Sequence, residues 1–307
     1  MVEISIVIPM YNEAEGLEKL FSRLKPCLEK VTTDYEIICV NDGSRDDTLE
    51  RLKAYHKQDP RIKIIHLARN FGKEIGLTSG IDYTIGKCVI PLDADLQDPP
   101  EIIPELVAKW KEGYKVVLAT RRKRESDSWF KRKTAEWFYR FMNSLSTVKV
   151  PHNTGDFRLM DRIVIEAVKK VPERTRFMKG IFAWAGFSTT TVYFDREARA
   201  AGNTSWNYWK LWKFALDGIF SFTTVPLHIW TYLGACISLL SFIWAIVIIA
   251  RTFLFGIVTP GYPSLMVTVL FMGGVQLLSI GIIGEYVGRI YTETKQRPLY
   301  VVEETIF

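Results

Sequence analysis

The chain has 307 residues, 40 Lys and Arg against 34 Asp and Glu, a net charge of +6 and 48% hydrophobic residues, with a slightly positive mean hydropathy of +0.05. That length admits one large domain or one domain with an addition, and the hydrophobic content is high for a purely soluble protein. Cys27, Cys39, Cys88 and Cys236 show no CxxC spacing and His56, His66, His152 and His228 are equally dispersed, which argues against a zinc site or a Cys/His nucleophile.

Residues 4–9 are far too short for a secretory signal, and Glu3 stands where a basic leader would begin, so this run reads as a strand. Short β-branched runs recur at 35–40, 62–67, 87–92 and 115–119, with amphipathic stretches between the first four and again around 101–111. Between 14 and 28, Leu17, Leu20, Phe21, Leu24 and Leu28 make a helical stripe meant for a core. The alternation predicts an α/β domain over 1–200, a parallel sheet covered by helices.

Polar, turn-forming clusters follow the strands, as expected of a ligand crevice at the C-terminal edge of an open sheet. The first holds Pro9, Tyr11, Asn12 and Glu13; the second runs from Asn41 and Asp42 to Thr48; the third contains Arg69, Asn70, Gly72, Lys73 and Glu74. Ser44 and Asp46 read as helix caps, which leaves Asp42 free to accept hydrogen bonds from a base or ribose. After the fourth strand stand Asp93 and Asp95, then Gln97, Asp98 and Glu101. Paired carboxylates at a strand end suit a hard cation holding a diphosphate, although a solvated turn uses the same letters. Neither GxGxxG nor GxxxxGK[ST] occurs, so neither a dinucleotide enzyme nor a P-loop NTPase is supported.

Nearly all the excess charge lies between 121 and 133, where Arg121, Arg122, Lys123, Arg124, Lys131, Arg132 and Lys133 face only Glu125 and Asp127. Trp137, Phe138, Phe141, Met142 and Leu145 follow at helical spacing, so a basic amphipathic helix at about 130–146 is expected at a membrane interface. A second interfacial segment, 201–228, carries Trp209, Trp212, Phe214 and Phe220. Stretches 229–250 and 264–284 contain no charged residue, each about the ~20 residues of a membrane-spanning helix, giving a hairpin over 229–288 and a tail over 289–307. Basic residues stay cytoplasmic. The expectation is therefore an integral membrane protein of the inner or plasma membrane, with catalytic domain and C-terminus both cytoplasmic and no nucleic acid among its partners. Gly284 and Gly288, at GxxxG spacing, serve either packing of the hairpin on itself or a homo-oligomer.

The runs Ile-Val-Ile-Pro-Met-Tyr-Asn-Glu (6–13), Asn-Asp-Gly-Ser-Arg-Asp-Asp-Thr (41–48) and Asp-Ala-Asp-Leu-Gln-Asp-Pro-Pro-Glu (93–101) resemble the inverting GT-A glycosyltransferases of family 2. Ala-Arg-Asn-Phe-Gly-Lys-Glu (68–74), Thr-Gly-Asp-Phe-Arg-Leu-Met-Asp-Arg (154–162) and the hairpin narrow this to polyisoprenyl-phosphate glycosyltransferases, a group that includes enzymes like dolichol-phosphate mannose synthase and in which the bactoprenol glucosyltransferase branch is nearest. The resemblance implies a Rossmann-like nucleotide-sugar domain and transfer of a hexose, glucose from UDP-glucose, to undecaprenyl phosphate. By motif, Pro9, Tyr11, Glu13, Asp42, Asp93 and Gln97 line the nucleotide pocket. Asp93 and Asp95 hold Mg2+ or Mn2+ and the donor diphosphate, and Asp156 is either a base or an orienting group. Arg121, Arg132 and Arg199 are the acceptor-phosphate candidates; Gly202-Asn-Thr-Ser205 lacks the lysine of a Gly-x-Ser-Lys motif, so a clamp in that loop leans on Arg199 or Lys210. The reaction expected is one in-line displacement with inversion. A phosphate is already ionised at neutral pH, its second pKa being about 6, so no strong base is required.

A GDP-mannose-dependent mannosyltransferase is the alternative within the group. A processive polysaccharide synthase should carry Gln-x-x-Arg-Trp and more spans; a membrane-tethered nucleotide-binding regulator leaves the basic and aromatic helices unexplained.

Overall fold

A computed structural model describes residues 2–122, 154–171, 173, 174, 176, 178–195 and 261–307, with scattered positions between 232 and 255. The chain divides into two compact units, Met1–Gly218 with Arg297–Phe307, and Ile219–Gln296.

In the first unit the five expected strands form as β1 (Ile4–Met10), β2 (Tyr35–Asn41), β3 (Ile62–Leu67), β4 (Cys88–Pro91) and β5 (Val116–Arg121). Helices α1 (Leu17–Glu29), α2 (Thr48–Gln58), α3 (Lys73–Asp82) and α4 (Ile103–Lys111) alternate with them. The α1 stripe is buried as its spacing demands, each leucine-sized side chain contributing about 1.5–3 kcal/mol. Helix α3 lies so close to the sheet that a Cβ on Gly80 would stand 2.9 Å from a methyl of Val40 and closer still to Val7. No larger residue fits there without moving the helix that begins with Lys73.

The sheet is not parallel throughout, as the alternation predicted, but mixed. Its order is β7-β5-β6-β4-β1-β2-β3-β8, with β6 (Thr154–Asp161), β7 (Thr189–Phe194) and β8 (Val302–Ile306) added to the five. Strand β6 runs antiparallel to both β4 and β5, and β8 antiparallel to β3. The period-2 signal fails in β6 because Asp156 and Arg158 are buried along with Phe157, Leu159 and Met160. In β8 it fails for the opposite reason: the strand is short, acidic and mostly exposed, as protected sheet edges are. Two further helices, α5 (Arg162–Lys169) and α6 (Met178–Trp184), follow β6.

The stretch 289–307, expected as a tail, therefore ends inside the sheet. The Ala68 N–H donates to the Val301 carbonyl at 3.0 Å, and the Tyr300 hydroxyl donates to Asp82 at 2.8 Å.

The second unit contains α7 (Tyr262–Thr294), 33 residues and so about 50 Å long. It extends well past the expected span of 264–284. Its stretch Phe271–Thr294 is the one helix among the described residues long and apolar enough to cross a membrane; Leu277, Ile280 and Ile283 are among its exposed side chains. The described positions between 232 and 255 are helical. The expected interfacial helix at about 130–146 with Arg132, the segment 201–228, and Arg199 lie outside the described residues.

Candidate active site

The chain steps from β1 to β2 and β3 on one side, then returns to lay β4 against the other side of β1. This reversal opens a crevice at the C-terminal ends of β1 and β4. Leu92 N–H closes the last rung, donating to the Val7 carbonyl at 2.9 Å, and Asp93 is the next residue.

The loops after β1 and β2 are stitched together at this edge. Ser44 Oγ accepts the Asn12 N–H (2.9 Å), Asn12 Oδ1 accepts the Arg45 N–H (2.8 Å), Thr48 Oγ1 accepts the Glu13 N–H (3.0 Å) and Asp46 Oδ2 accepts the Ala14 N–H (3.2 Å). Ser44 and Asp46, read as helix caps, thus chiefly tie the two loops, although Asp46 Oδ1 also accepts the Thr48 N–H at 3.2 Å. Gly43, at φ +64°, lets this loop touch the next one, since a Cβ there would stand 2.5 Å from the Arg69 carbonyl carbon. Tyr11 is left exposed at the rim and Pro9 is partly buried at the end of β1.

Asp42 is not free, as the sequence reading had it. Its two oxygens accept the Phe71 N–H (2.7 Å) and the Gly72 N–H (2.8 Å), fixing the backbone just before α3. Burial pushes its pKa up, while those two N–H groups and Arg69 pull against it. A carboxylate retains lone pairs beyond two such bonds, so a ligand contact is still compatible with this duty.

The register of β4 against β6 pairs Cys88 with Asp161 and Val89 with Met160. Beyond those pairs β4 runs toward Asp93 while β6 begins just before Asp156, so both carboxylates lie at this edge. Lys73 joins them: its Nζ lies 2.7 and 2.8 Å from the two oxygens of Asp93 and 2.9 Å from Asp156 Oδ2. Burial alone would raise the pKa of Asp156, but the Lys73 ammonium, with Lys179 and Arg158, outweighs it and holds the carboxyl at about 2. Glu74, the neighbour of Lys73, behaves oppositely. Burial and then the charge of Asp156 push it up to about 7, against the opposing pull of the Met178 N–H, which it accepts at 3.1 Å, and of Lys73 and Lys179.

Arg121 closes this side from the end of β5, its Nη2 lying 3.3 Å from Asp98 Oδ1. Arg158 Nη2 donates to the Gly155 carbonyl at 2.8 Å, and its guanidinium sits 4.7 Å from the Phe182 ring centroid. Desolvation lowers the Arg158 pKa to about 10 despite Asp156 and Glu74. Among the described residues, Asp156 Oδ1, Arg121 Nε and Arg158 Nε are buried without a hydrogen-bond partner. Such groups in a native site call for an explanation.

Asp95 Oδ1 accepts the Gln97 N–H at 3.1 Å, which folds the turn that carries both aspartates. No cluster of three metal-ligating side chains occurs among the described residues. Two carboxylates still fit Mg2+ or Mn2+, because such ions are commonly held by one or two carboxylates and the phosphate oxygens of a substrate. The ammonium already seated on Asp93 shows that this carboxylate is placed to receive positive charge.

The structure thus brings Asp93 and Asp156 together and sets Arg121 beside Gly155, where a Cβ would meet Arg121 Nη2 at 3.7 Å. Sequence reasoning quoted Lys73 and Glu74 within a motif but gave them no role. The available signal was their position after a strand and a glycine, at the start of a helix facing the same edge.

Residues 5–169 match the family profile described as glycosyl transferase family 2, and 225–290 match the GtrB C-terminal hairpin. The chain is 59% identical to an uncharacterized glycosyltransferase of Synechocystis over 99% of its own length and 95% of the relative's. It is 47% identical to the bactoprenol glucosyl transferase of Shigella phage SfX and 46% identical to a prophage bactoprenol glucosyl transferase homolog of Escherichia coli K12. In both comparisons the similarity covers 98% of this chain and 99% of the relative.

Proposed function

From the premise that this chain belongs to glycosyl transferase family 2 and carries a GtrB C-terminal hairpin, we propose that it transfers glucose from UDP-glucose to undecaprenyl phosphate, with inversion, at a membrane surface. The observation that carries this reading is the meeting of Asp93 and Asp156 at one sheet edge, in a chain alike over nearly its whole length to bactoprenol glucosyl transferases.

Pro9, Tyr11, Glu13, Asp42 and Gln97 surround the nucleotide in this reading. Asp93 and Asp95 hold a divalent cation, which when bound supplies Lewis-acid relief of charge on the leaving diphosphate. Arg121, with Arg132 and Arg199, receives the acceptor phosphate. Support for Arg121 comes from its buried, unpartnered Nε and from its place near Gly155 of the strand that carries Asp156, since a planar guanidinium grips phosphate oxygens two at a time. Asp156, which burial would push up but the Lys73 ammonium keeps below the usual carboxylate range, is a weak base at neutral pH. It therefore orients the acceptor rather than deprotonating it, in keeping with an acceptor that is already an anion.

Chain connectivity supports the membrane topology. The segment 219–296 leaves the first unit and β8 rejoins that unit's sheet, so any bilayer crossings of the intervening chain are even in number, as in a hairpin. With basic flanks retained inside, the catalytic domain and the C-terminus are both cytoplasmic.

The test is a donor panel. Membranes containing the protein are given undecaprenyl phosphate, a divalent cation and UDP-glucose, UDP-galactose, UDP-N-acetylglucosamine or GDP-mannose, and the extracted lipid is analysed for sugar. Glucose on the lipid from UDP-glucose alone is expected. Mannose from GDP-mannose would replace the reading with its mannosyltransferase alternative.

A further inference from the structure

We propose that Lys73 is a positioning residue that guards Asp93: its ammonium holds this carboxylate against a free divalent cation and yields it when a nucleoside diphosphate arrives with the cation. The proposal rests on the donor-side reading of Asp93 given above and adds an order of assembly to it.

The geometry has three parts. Both oxygens of Asp93 lie within 2.8 Å of Lys73 Nζ, so a metal ion reaching that carboxylate competes with the ammonium for the same oxygens and meets its positive charge. The root of Lys73 is fixed, since it is the first residue of α3 and follows a backbone that Asp42 pins at Phe71 and Gly72. Its end is not fixed in the same way: the side chain is 43% exposed, and a four-carbon stem can swing a compact charge over several ångströms. Asp156, 2.9 Å away on the other side, retains the ammonium within the site while Asp93 changes partner.

Charge decides when the change is favourable. A lone divalent cation at Asp93 stands close to the ammonium it has displaced and brings no anion to offset the repulsion. A nucleoside diphosphate brings that anion and gives the released ammonium new oxygen partners. Cation and nucleotide must then bind cooperatively, and by linkage each must tighten the other by the same factor. Removing the lysine charge frees Asp93 for the cation alone and erases part of that cooperativity.

The experiment measures free Mn2+ by electron paramagnetic resonance, with the purified full chain in detergent, with and without UDP. No sugar or lipid is present. In the wild type, Mn2+ alone binds weakly and UDP tightens it. Lys73→Met should bind Mn2+ alone roughly fivefold more tightly, the size of a partly exposed ion pair, and the gain from UDP should shrink by a similar factor. Lys73→Arg should restore wild-type behaviour. Lys73→Gln is measured in parallel, and each variant is checked by thermal unfolding, so that a loss of fold in one does not stand for an answer. Unchanged or weaker binding of Mn2+ alone in the folded neutral variants, with the UDP gain intact, overturns the proposal. Failure of the wild type to glucosylate polyprenyl phosphate would instead sink the functional reading while leaving this result standing.

Discussion

Strands β4 and β6 reach the same edge of the sheet by opposite routes, β4 arriving with its C-terminal end to deliver Asp93, and β6 starting there with Asp156 as its third residue. The two sides are held by different forces. Around β1 and β2, backbone N–H groups donate to Ser44, Thr48, Asp46 and Asn12, a lattice of neutral and charged bonds among loops that are close in space. At the β6 side, Asp156 depends on surrounding charge: Lys73, Lys179 and Arg158 outweigh the cost of burying it. The comparison teaches that the donor side is organised by loop geometry, whereas the Asp156 side answers to any change of nearby charge.

The largest effect should come from Asp95→Ala, which removes a carboxylate proposed above to hold the cation that offsets charge on the leaving diphosphate. Transfer should fall by roughly 10²–10³-fold, the range for deleting one electrostatic stabiliser of a transition state, with labelled lipid as the readout. Asp156→Asn keeps size and changes charge. It should lower kcat by roughly tenfold or more while leaving the KM for UDP-glucose near wild type, which separates orientation of the acceptor from donor binding. Arg121→Ala should act in the complementary way, raising the KM for undecaprenyl phosphate by roughly tenfold or more, the lower end for one lost hydrogen bond to a charged group. An equal rise in the donor KM would erase the division between the two sides.

Glu74 sharpens the same contrast through pH. Its folded-state pKa stands at about 7 against an ordinary 4.5, so the folded protein binds this proton more tightly than the unfolded chain does. The stability it contributes is fully present below about pH 4.5 and is lost as pH rises through about 7. Glu74→Gln, which can still accept the Met178 N–H, removes that loss. The variant's melting temperature should gain several °C on the wild type between pH 5 and pH 8; a difference that does not change with pH would contradict this. The smallest effect is expected of Tyr300→Phe, which deletes one exposed bond to Asp82 and should cost about 0.5–1 kcal/mol of stability without altering transfer.

The parallel half was legible because each strand there is a β-branched run buried on both faces, and because every loop after it carries turn-forming polar residues. The stripe Leu17, Leu20, Phe21, Leu24 and Leu28 reached the core for the same reason. Strand β6 escaped because its buried Asp156 and Arg158 interrupt the apolar pattern, and β8 because its pairing with β3 is a contact between distant parts of the chain that local periodicity does not encode. Asp93 and Asp156 were both named from the sequence, but their meeting depends on the antiparallel register of β6. Lys73 was invisible as a partner until that register set two carboxylates around its ammonium.

In the proposed reaction one hexose passes in a single displacement from a nucleotide diphosphate to a lipid phosphate across this sheet edge. Its most direct test is nuclear magnetic resonance of the sugar lipid formed by the purified full chain from UDP-α-glucose and undecaprenyl phosphate. A single glucose per lipid in β linkage is expected, and roughly 10²–10³-fold less of it with Asp95→Ala. An α-linked glucose, a polymer, or undiminished product from the variant would contradict it.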